Sequence, residues 1–114
     1  MPRNIIDSVQ GTLDFLILKT LSWGEMHGYG IARGIFDASG AELQIEEGTL
    51  YPALHRLEDR GCVEAEWGLS ENNRRAKFYR LTPQGRQELA ERVTGWQRFT
   101  TAVDRILQAA PGGA

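Results

Sequence analysis

Five of the 13 lysines and arginines in the sequence fall between Glu71 and Glu88, in a stretch without any acidic residue. Cationic side chains at this density can bind the phosphates of a DNA backbone, and amides beside them add hydrogen-bond donors. The net charge of −2 does not oppose this, because salt screens each charge beyond roughly 10 Å and only the local surface acts on a phosphate. The alternative is a solvated charged surface without a ligand. The candidate phosphate contacts are Asn73, Arg74, Arg75 and Lys77.

A second group of candidate DNA contacts lies on the outer face of a predicted helix. Leu50, Leu54 and Leu57 have the spacing of a buried helix stripe, which leaves the side chains between them facing outward. Phenol, imidazole and guanidinium groups on such a face can contact phosphates or base edges in a major groove. An ordinary solvated surface with an Arg56–Asp59 ion pair is the alternative. The outward residues of interest are Tyr51, Pro52, His55 and Arg56.

The segment His27-Gly28-Tyr29-Gly30 opens another predicted helix and could bind an anion. The unpaired N–H groups at a helix start attract phosphate, and His27 and Tyr29 could add donors to it. The glycines equally permit a tight turn and close packing between helices. Both interpretations fit the sequence.

The sequence offers no pattern of a catalytic, metal or cofactor site. Its two histidines lie far apart on different predicted helices, and Gly28-Tyr29-Gly30 lacks the third glycine of a dinucleotide-binding loop. The single cysteine, Cys62, excludes an intrachain disulfide and any site with several thiolates. It begins a predicted strand next to Val63, which favours a small buried residue over a reactive thiol. We therefore predict a protein that is not an enzyme and that needs no cofactor and no metal.

Three helices are predicted before the basic stretch. The first runs from Gly11 to Trp23, the second from about Gly28 to Ala38, and the third from within Glu47–Thr49 to Arg60. Pro52 is expected in or near the first turn of the third helix, where its missing N–H costs little. Between the second and third helices, Leu43-Gln44-Ile45 alternates and is a candidate short strand.

A β-hairpin is predicted to follow. Val63, Ala65 and Trp67 alternate with acidic residues, and residues 76–81 form the returning strand after a polar turn. Thr82-Pro83 then has the form of a helix start, a capping threonine before a proline. Helices followed by a hairpin predict a mainly helical α+β fold, the winged helix-turn-helix, with a long C-terminal dimerisation helix.

This last helix, predicted from Pro83 to about Ala109, carries an apolar stripe that three short helices cannot cover. The simplest partner for the stripe is its own copy, which predicts a homodimer. Trp96, in the middle of the stripe, is either plain interface core or one wall of a slot for a flat aromatic effector. The predicted dimerisation residues are Leu89, Val93, Trp96, Phe99, Val103, Ile106 and Leu107.

Length and composition indicate an ordinary folded chain. With 114 residues, 41% of them hydrophobic and 25% charged, the sequence fits a single small unit. We expect a DNA-binding domain over residues 1–82, a dimerisation helix over 83–110 and a disordered tail over 111–114. Neither a membrane-spanning run nor a signal peptide is apparent, so a cytoplasmic protein is expected.

The chain resembles the PadR family of bacterial transcriptional regulators. The resemblance rests on GTLDFLILKTL at 11–21, HGYGIA at 27–32, EEGTLYPALHRLEDRG at 46–61 and RRAKFYRLTPQG at 74–85. It implies a dimeric repressor that contacts DNA through His27 and Tyr29, through Thr49 to Arg56 and through the basic hairpin. Some relatives release DNA when they bind aromatic or drug-like molecules. The single C-terminal helix is similar to that of the compact branch of the family, and Cys62 departs from the aliphatic or aromatic residue more usual there.

The function predicted from these features is sequence-specific repression of transcription by a homodimer on a pseudo-palindromic DNA operator, with release by an aromatic or drug-like effector. The alternatives are a ligand-binding sensor and a winged-helix module for protein interaction, both with little specific DNA binding. The basic hairpin favours the repressor, because a hairpin that docks on protein would more often be mixed or apolar.

Overall fold

The computed structural model describes residues 11–112, so the amino-terminal segment and the end of the predicted tail lie outside the described residues. The strands form one antiparallel sheet in the order β1-β3-β2. The predicted class, mainly helical with a small sheet, is confirmed. The elements in chain order are α1 Thr12–Leu21, β1 Met26–His27, α2 Gly28–Ala38, α3 Glu47–Asp59, β2 Val63–Leu69, β3 Arg75–Leu81 and α4 Pro83–Gln108.

The short strand predicted at Leu43–Ile45 is wrong, because this segment has no strand structure. Its alternation reflects burial alone: Ile45 packs into the core from a connection that has no neighbouring strand. The additional strand is β1, whose Met26 and His27 pair with Tyr79 and Phe78 of β3. This pairing fixes the chain at the point where α2 begins.

The core lies between α1, α2, α3 and the inner face of the sheet. Within the hairpin, Val63 and Tyr79 are buried, whereas Trp67 is 57% exposed. The face of β2 that is buried in the core at the start of the strand is therefore exposed farther along it. The prediction of a half-buried strand holds only for the first part of β2. The fully buried larger side chains are Ile17, Leu18, Ile31, Leu50, Leu54, Leu57 and Val63.

Helix α3 begins at Glu47, within the predicted range Glu47–Thr49. Glu46 is the N-cap residue, so Pro52 lies in the second turn, inside the helix. Pro52 therefore lies next to the first turn and not in it, which is within the expected position in or near that turn. Proline has no N–H to donate to the carbonyl of Gly48, four residues earlier, and Gly48 is exposed, so that water can replace the missing donor.

Helix α4 begins as predicted and extends away from the core. The hydroxyl of Thr82 accepts a hydrogen bond from the N–H of Gly85 at 3.0 Å. The start of the helix lies so close to the preceding chain that a Cβ at position 85 would be 2.0 Å from the carbonyl oxygen of Cys62. Farther along, Ile106 and Leu107 are 73% and 76% exposed. None of the helices within residues 11–112 is both long and apolar enough to cross a membrane.

Candidate nucleic-acid interface

A groove with a volume of about 830 Å³ lies between the start of α2, the outer face of α3 and the hairpin Val63–Leu81, which we call the wing. Helices α2 and α3 form one side and the wing forms the other. The groove brings together five of the predicted DNA contacts, although they come from three separate parts of the chain. These residues are His27, Tyr29, Tyr51, Arg75 and Lys77.

His27 has a structural role at the amino end of α2. It is the N-cap residue, and its Nδ1 accepts a hydrogen bond from the N–H of Gly30 at 3.0 Å. The ring also packs against Phe78, with 5.3 Å between ring centroids. Because Nδ1 is an acceptor, the proton of a neutral imidazole lies on Nε2, which remains a donor for a ligand. His27 therefore caps the helix through Nδ1 and can still donate to a ligand through Nε2.

Gly28 allows α3 to approach α2. A Cβ at position 28 would lie 2.5 Å from the hydroxyl oxygen of Tyr51. The phenol ring of Tyr51 consequently crosses the first turn of α2, and its hydroxyl lies in the groove beside the exposed Tyr29. Gly34 has a similar effect nearly two turns later, where a Cβ would be 3.0 Å from a methyl group of Thr20 in α1.

The outer face of α3 carries the remaining predicted contacts of that helix. Thr49, Pro52 and His55 are exposed and lie outside the groove. The imidazole of His55 lies 3.6 Å from a carboxylate oxygen of Asp59. The suggested Arg56–Asp59 pair is wrong, because Arg56 instead donates to Asp14 of α1 at 3.2 Å. A distant acidic residue thus holds the guanidinium that the sequence suggested for DNA.

Ion pairs neutralise part of the positive charge on the surface of the wing. Lys77 lies 3.5 Å from Glu58, and Arg80 lies 3.1 Å from Glu64. Within residues 11–112, neither Arg74 nor Arg75 has a carboxylate at salt-bridge distance. The two arginines follow the tight turn of the wing, where Asn73 adopts a left-handed backbone with φ of 60°. Among the described residues, the two wing cations without an ion pair therefore lie at the tip of the wing.

Two residues of the groove escaped the sequence analysis. Trp67 was expected on the buried face of β2, but it lines the groove with Arg75 above its ring at 4.6 Å. Arg33 follows Tyr29 by one helical turn and thus lies on the same face of α2, a spacing that could have revealed it. Its guanidinium pairs with Asp37 at 3.2 Å.

At its other end, α3 is tied to α1 and α4 through a cluster of charged residues that we call the junction. Arg60 bonds to Glu88 of α4 and lies 3.7 Å from Asp14 of α1. Arg92 in turn donates to Glu88 at 3.0 Å. Three helices are thereby linked by charge-assisted hydrogen bonds, which are stronger than neutral ones. The junction consists of Asp14, Arg56, Arg60, Glu88 and Arg92.

Contacts at the junction also shift the pKa values of two side chains. Burial would raise the pKa of Glu88, but the hydrogen bond and charge of Arg60 lower it below its ordinary value. Cys62 is fully buried, and its thiol donates to Glu88 at 3.5 Å. Burial and the charge of Glu88 raise the pKa of this thiol. Cys62 is therefore the small buried residue that was predicted and not an activated nucleophile.

Comparison with known proteins places this chain and its fold among transcriptional regulators. Residues 17–91 match the model of the "Transcriptional regulator PadR-like family". A relative in Mycobacterium tuberculosis, "Transcriptional regulator Rv3488", is 34% identical over 74% of this chain and 84% of its own length. A solved structure of a transcriptional regulator from Clostridium thermocellum has a TM-score of 0.81 at 29% identity, covering 90% of this chain and 99% of that one.

A third relative is the "Negative transcriptional regulator PadR" of Bacillus subtilis, 31% identical over 68% of this chain but only 42% of its own length. The matched family consists of regulators of transcription, which confirms the prediction that the chain is not an enzyme. Four helices with a three-stranded antiparallel sheet also agree with the solved regulator structures, so the winged-helix prediction is confirmed. This chain belongs to the PadR-like family of transcriptional regulators.

Proposed function

We propose that this protein is a repressor that binds a specific DNA sequence as a homodimer, with α3 in the major groove and the wing along the DNA backbone. One observation carries the proposal: the groove collects hydrogen-bond donors from α2 and α3 opposite a wing whose tip has two arginines without carboxylate partners among the described residues. A phosphate backbone needs such a local positive surface, even on a chain with net negative charge.

The contacts divide into two kinds under this proposal. His55, Tyr51 and Thr49 on α3 contact base edges or the phosphates beside them, with Arg56 and Pro52 at the rim. Backbone contacts come from the start of α2 and from the wing, namely His27, Tyr29, Asn73, Arg74, Arg75 and Lys77. Only the first kind distinguishes one sequence from another, since phosphates are the same at every site.

The dimer is proposed from the exposed apolar side of α4. Water contact with Ile106, Leu107 and Phe99 is unfavourable, and a second copy would cover all three. The double variant Ile106→Glu, Leu107→Glu should sediment as a monomer, whereas Arg105→Glu on the opposite side of the helix should not. A monomeric wild-type chain at micromolar concentration would contradict this part of the proposal.

Release by an aromatic effector is proposed for Trp96. Its ring packs directly against those of Phe15 and Phe99, with 5.6 Å and 6.0 Å between ring centroids, so a flat ligand would stack on this aromatic cluster from the side of the proposed dimer partner. A ligand of this kind should quench tryptophan emission, and Trp96→Ala should remove the response while Trp67→Phe keeps it. A response that survives in Trp96→Ala would place the effector elsewhere.

The family relationship to the negative regulator of Bacillus subtilis supports repression as the outcome of DNA binding. The protein would act inside the cytoplasm, where the DNA is.

The decisive experiment is a salt series on DNA. Duplexes selected from a random pool should be pseudo-palindromic, with half-site centres about 10 base pairs, or a multiple, apart. The double variant Arg74→Ala, Arg75→Ala should bind all duplexes more weakly and flatten the plot of log affinity against log salt, by roughly 0.9 for each phosphate that is no longer neutralised. Arg80→Ala is the matched control, because Arg80 is a wing arginine already paired with Glu64.

His55→Ala should act differently in the same experiment. Loss of the imidazole should reduce the difference in binding free energy between selected and random duplexes by about 1–3 kcal/mol. The slope of log affinity against log salt should change little. A wild-type protein that prefers no sequence would overturn the repressor proposal and favour a sensor or a protein-interaction module. Identical behaviour of the wing and α3 variants would overturn the division of roles.

A further inference from the structure

We propose that Trp67 is a positioning residue for DNA binding: its indole ring holds the guanidinium of Arg75 on the groove side of the wing, oriented for a phosphate. The inference rests on the proposed DNA-binding function and adds to it a residue that contributes no charge. Its starting point is the stack itself, in which Arg75 lies 4.6 Å above the centroid of the Trp67 ring.

The strand register explains why these two side chains meet. Trp67 is opposite Lys77 and Leu69 is opposite Arg75, so Trp67 and Arg75 are diagonal neighbours on one face of the hairpin. This is the face that begins in the core with Val63 and continues into the groove. Trp67 is the first large side chain on β2 beyond the core, and a diagonal partner is within reach of a ring of its size.

The wing presents two cations over aromatic rings, and only one of them is free of acidic partners in the described part of the chain. Lys77 lies 5.7 Å from the centroid of Tyr79, but its ammonium also lies 3.5 Å from Glu58. Arg75 has the ring of Trp67 and, among the residues that the structure describes, no carboxylate at salt-bridge distance. A ring attracts the cation without neutralising its charge, so a stacked arginine keeps its full attraction for phosphate.

Stacking also restricts a side chain that would otherwise adopt many rotamers. The guanidinium offers a planar fork of donors, and one of its faces can rest on an indole while its edge donates to phosphate oxygens. An arginine held in this orientation loses less conformational freedom when DNA binds. Trp67 is 57% exposed, a large apolar surface that the fold does not need for its core, and the stack gives it a role.

The test is a double-mutant cycle on the selected duplex and on a random duplex, measured at several salt concentrations. Trp67→Ala should weaken binding to both duplexes by about two- to fivefold, the range of an exposed cation–π contact. The same substitution should have no further effect in an Arg75→Ala background. Trp67→Phe, which keeps a ring, should restore most of the affinity. Leu69→Ala is the matched control, an apolar residue on the same strand and face that is 67% exposed.

A second measurement needs no DNA. In the free protein the ring current of the indole should shift the side-chain proton resonances of Arg75, and Trp67→Ala should return them to ordinary values while the melting temperature stays unchanged. Equal losses from Trp67→Ala with and without Arg75 would show that Trp67 contacts DNA by itself, which overturns the positioning role. Unchanged affinity in Trp67→Ala, or unshifted Arg75 resonances, would also overturn it. If the wild type showed no salt-dependent DNA binding, the proposed DNA-binding function itself would instead be refuted.

Discussion

The groove and the junction both contain arginines, but they use them in opposite ways. In the junction, Arg60 bridges Glu88 and Asp14, whose side chains are only 19% and 10% exposed. In the groove, Arg75 rests on Trp67, and no carboxylate within the described part of the chain lies at salt-bridge distance from it. Largely buried carboxylates that lose their cation are costly, whereas an exposed arginine on a ring is not needed by the fold. The presence or absence of an acidic partner therefore separates arginines that hold helices together from those that can bind a ligand.

The largest effect should come from Gly85→Ala beside the junction. A Cβ at this position would lie 2.0 Å from the Cys62 carbonyl oxygen, so the start of α4 must move away from the core. We expect a loss of about 3 kcal/mol in the free energy of unfolding, measured in urea. Gly95→Ala is the control, since a Cβ there meets nothing within 4 Å and should stabilise the helix by about 0.5–1 kcal/mol. Similar values for the two variants would mean that α4 is not packed as described.

Replacing one arginine in each region should lower the free energy of unfolding in the junction but hardly change it in the groove. Arg60→Ala leaves Glu88 without its strongest partner in a largely buried site, and we expect about 1–3 kcal/mol of lost stability. Arg75→Ala should change the free energy of unfolding by less than about 0.5 kcal/mol, because its stack with Trp67 is exposed. Urea unfolding at pH 7 measures both. The comparison fails if the groove variant proves as unstable as the junction variant.

The junction should also make the free energy of unfolding depend on pH. The pKa of Glu88 is lowered in the fold from its ordinary 4.5, so the native state favours the carboxylate. The stabilisation is therefore complete above pH 4.5 and disappears as the pH falls through the lower folded value. Wild type should be more stable than Glu88→Gln at pH 6, and the difference should shrink when the pH is lowered toward 3. A difference that stays constant over this range would refute the lowered pKa.

The smallest effect should follow from converting a paired cation into a free one. Glu58 lies 3.5 Å from Lys77, so Glu58→Gln would give the groove one more uncompensated charge. An exposed pair of this kind is worth about 0.2–1 kcal/mol, and stability should change by no more than that. Affinity for random duplexes should rise a few-fold at low salt, with a steeper salt dependence. Unchanged affinity would indicate that Lys77 does not face DNA.

Local sequence patterns were sufficient for most of the fold. The leucine spacing of α3 places Leu50, Leu54 and Leu57 in the core, as predicted, because a helical stripe follows from a fixed rotation per residue. The Thr82-Pro83 start of α4 is likewise local, since the cap spans only three residues. Trp67 shows where such patterns fail: alternation reports which face a side chain takes, but not how far the core extends beneath that face.

The order of residues along the chain was enough to predict the helices, the hairpin, the basic stretch and the family resemblance, all of which depend on neighbouring residues or on quoted motifs. Which charges remain free depends instead on tertiary packing. The partners of Arg56, Lys77 and Arg80 are Asp14, Glu58 and Glu64, which lie on other elements. Packing between segments also places His27 at a sheet edge and Tyr51 across Gly28. Ion pairs and close approaches depend on distances between segments that fold together, and the chain order does not contain these distances.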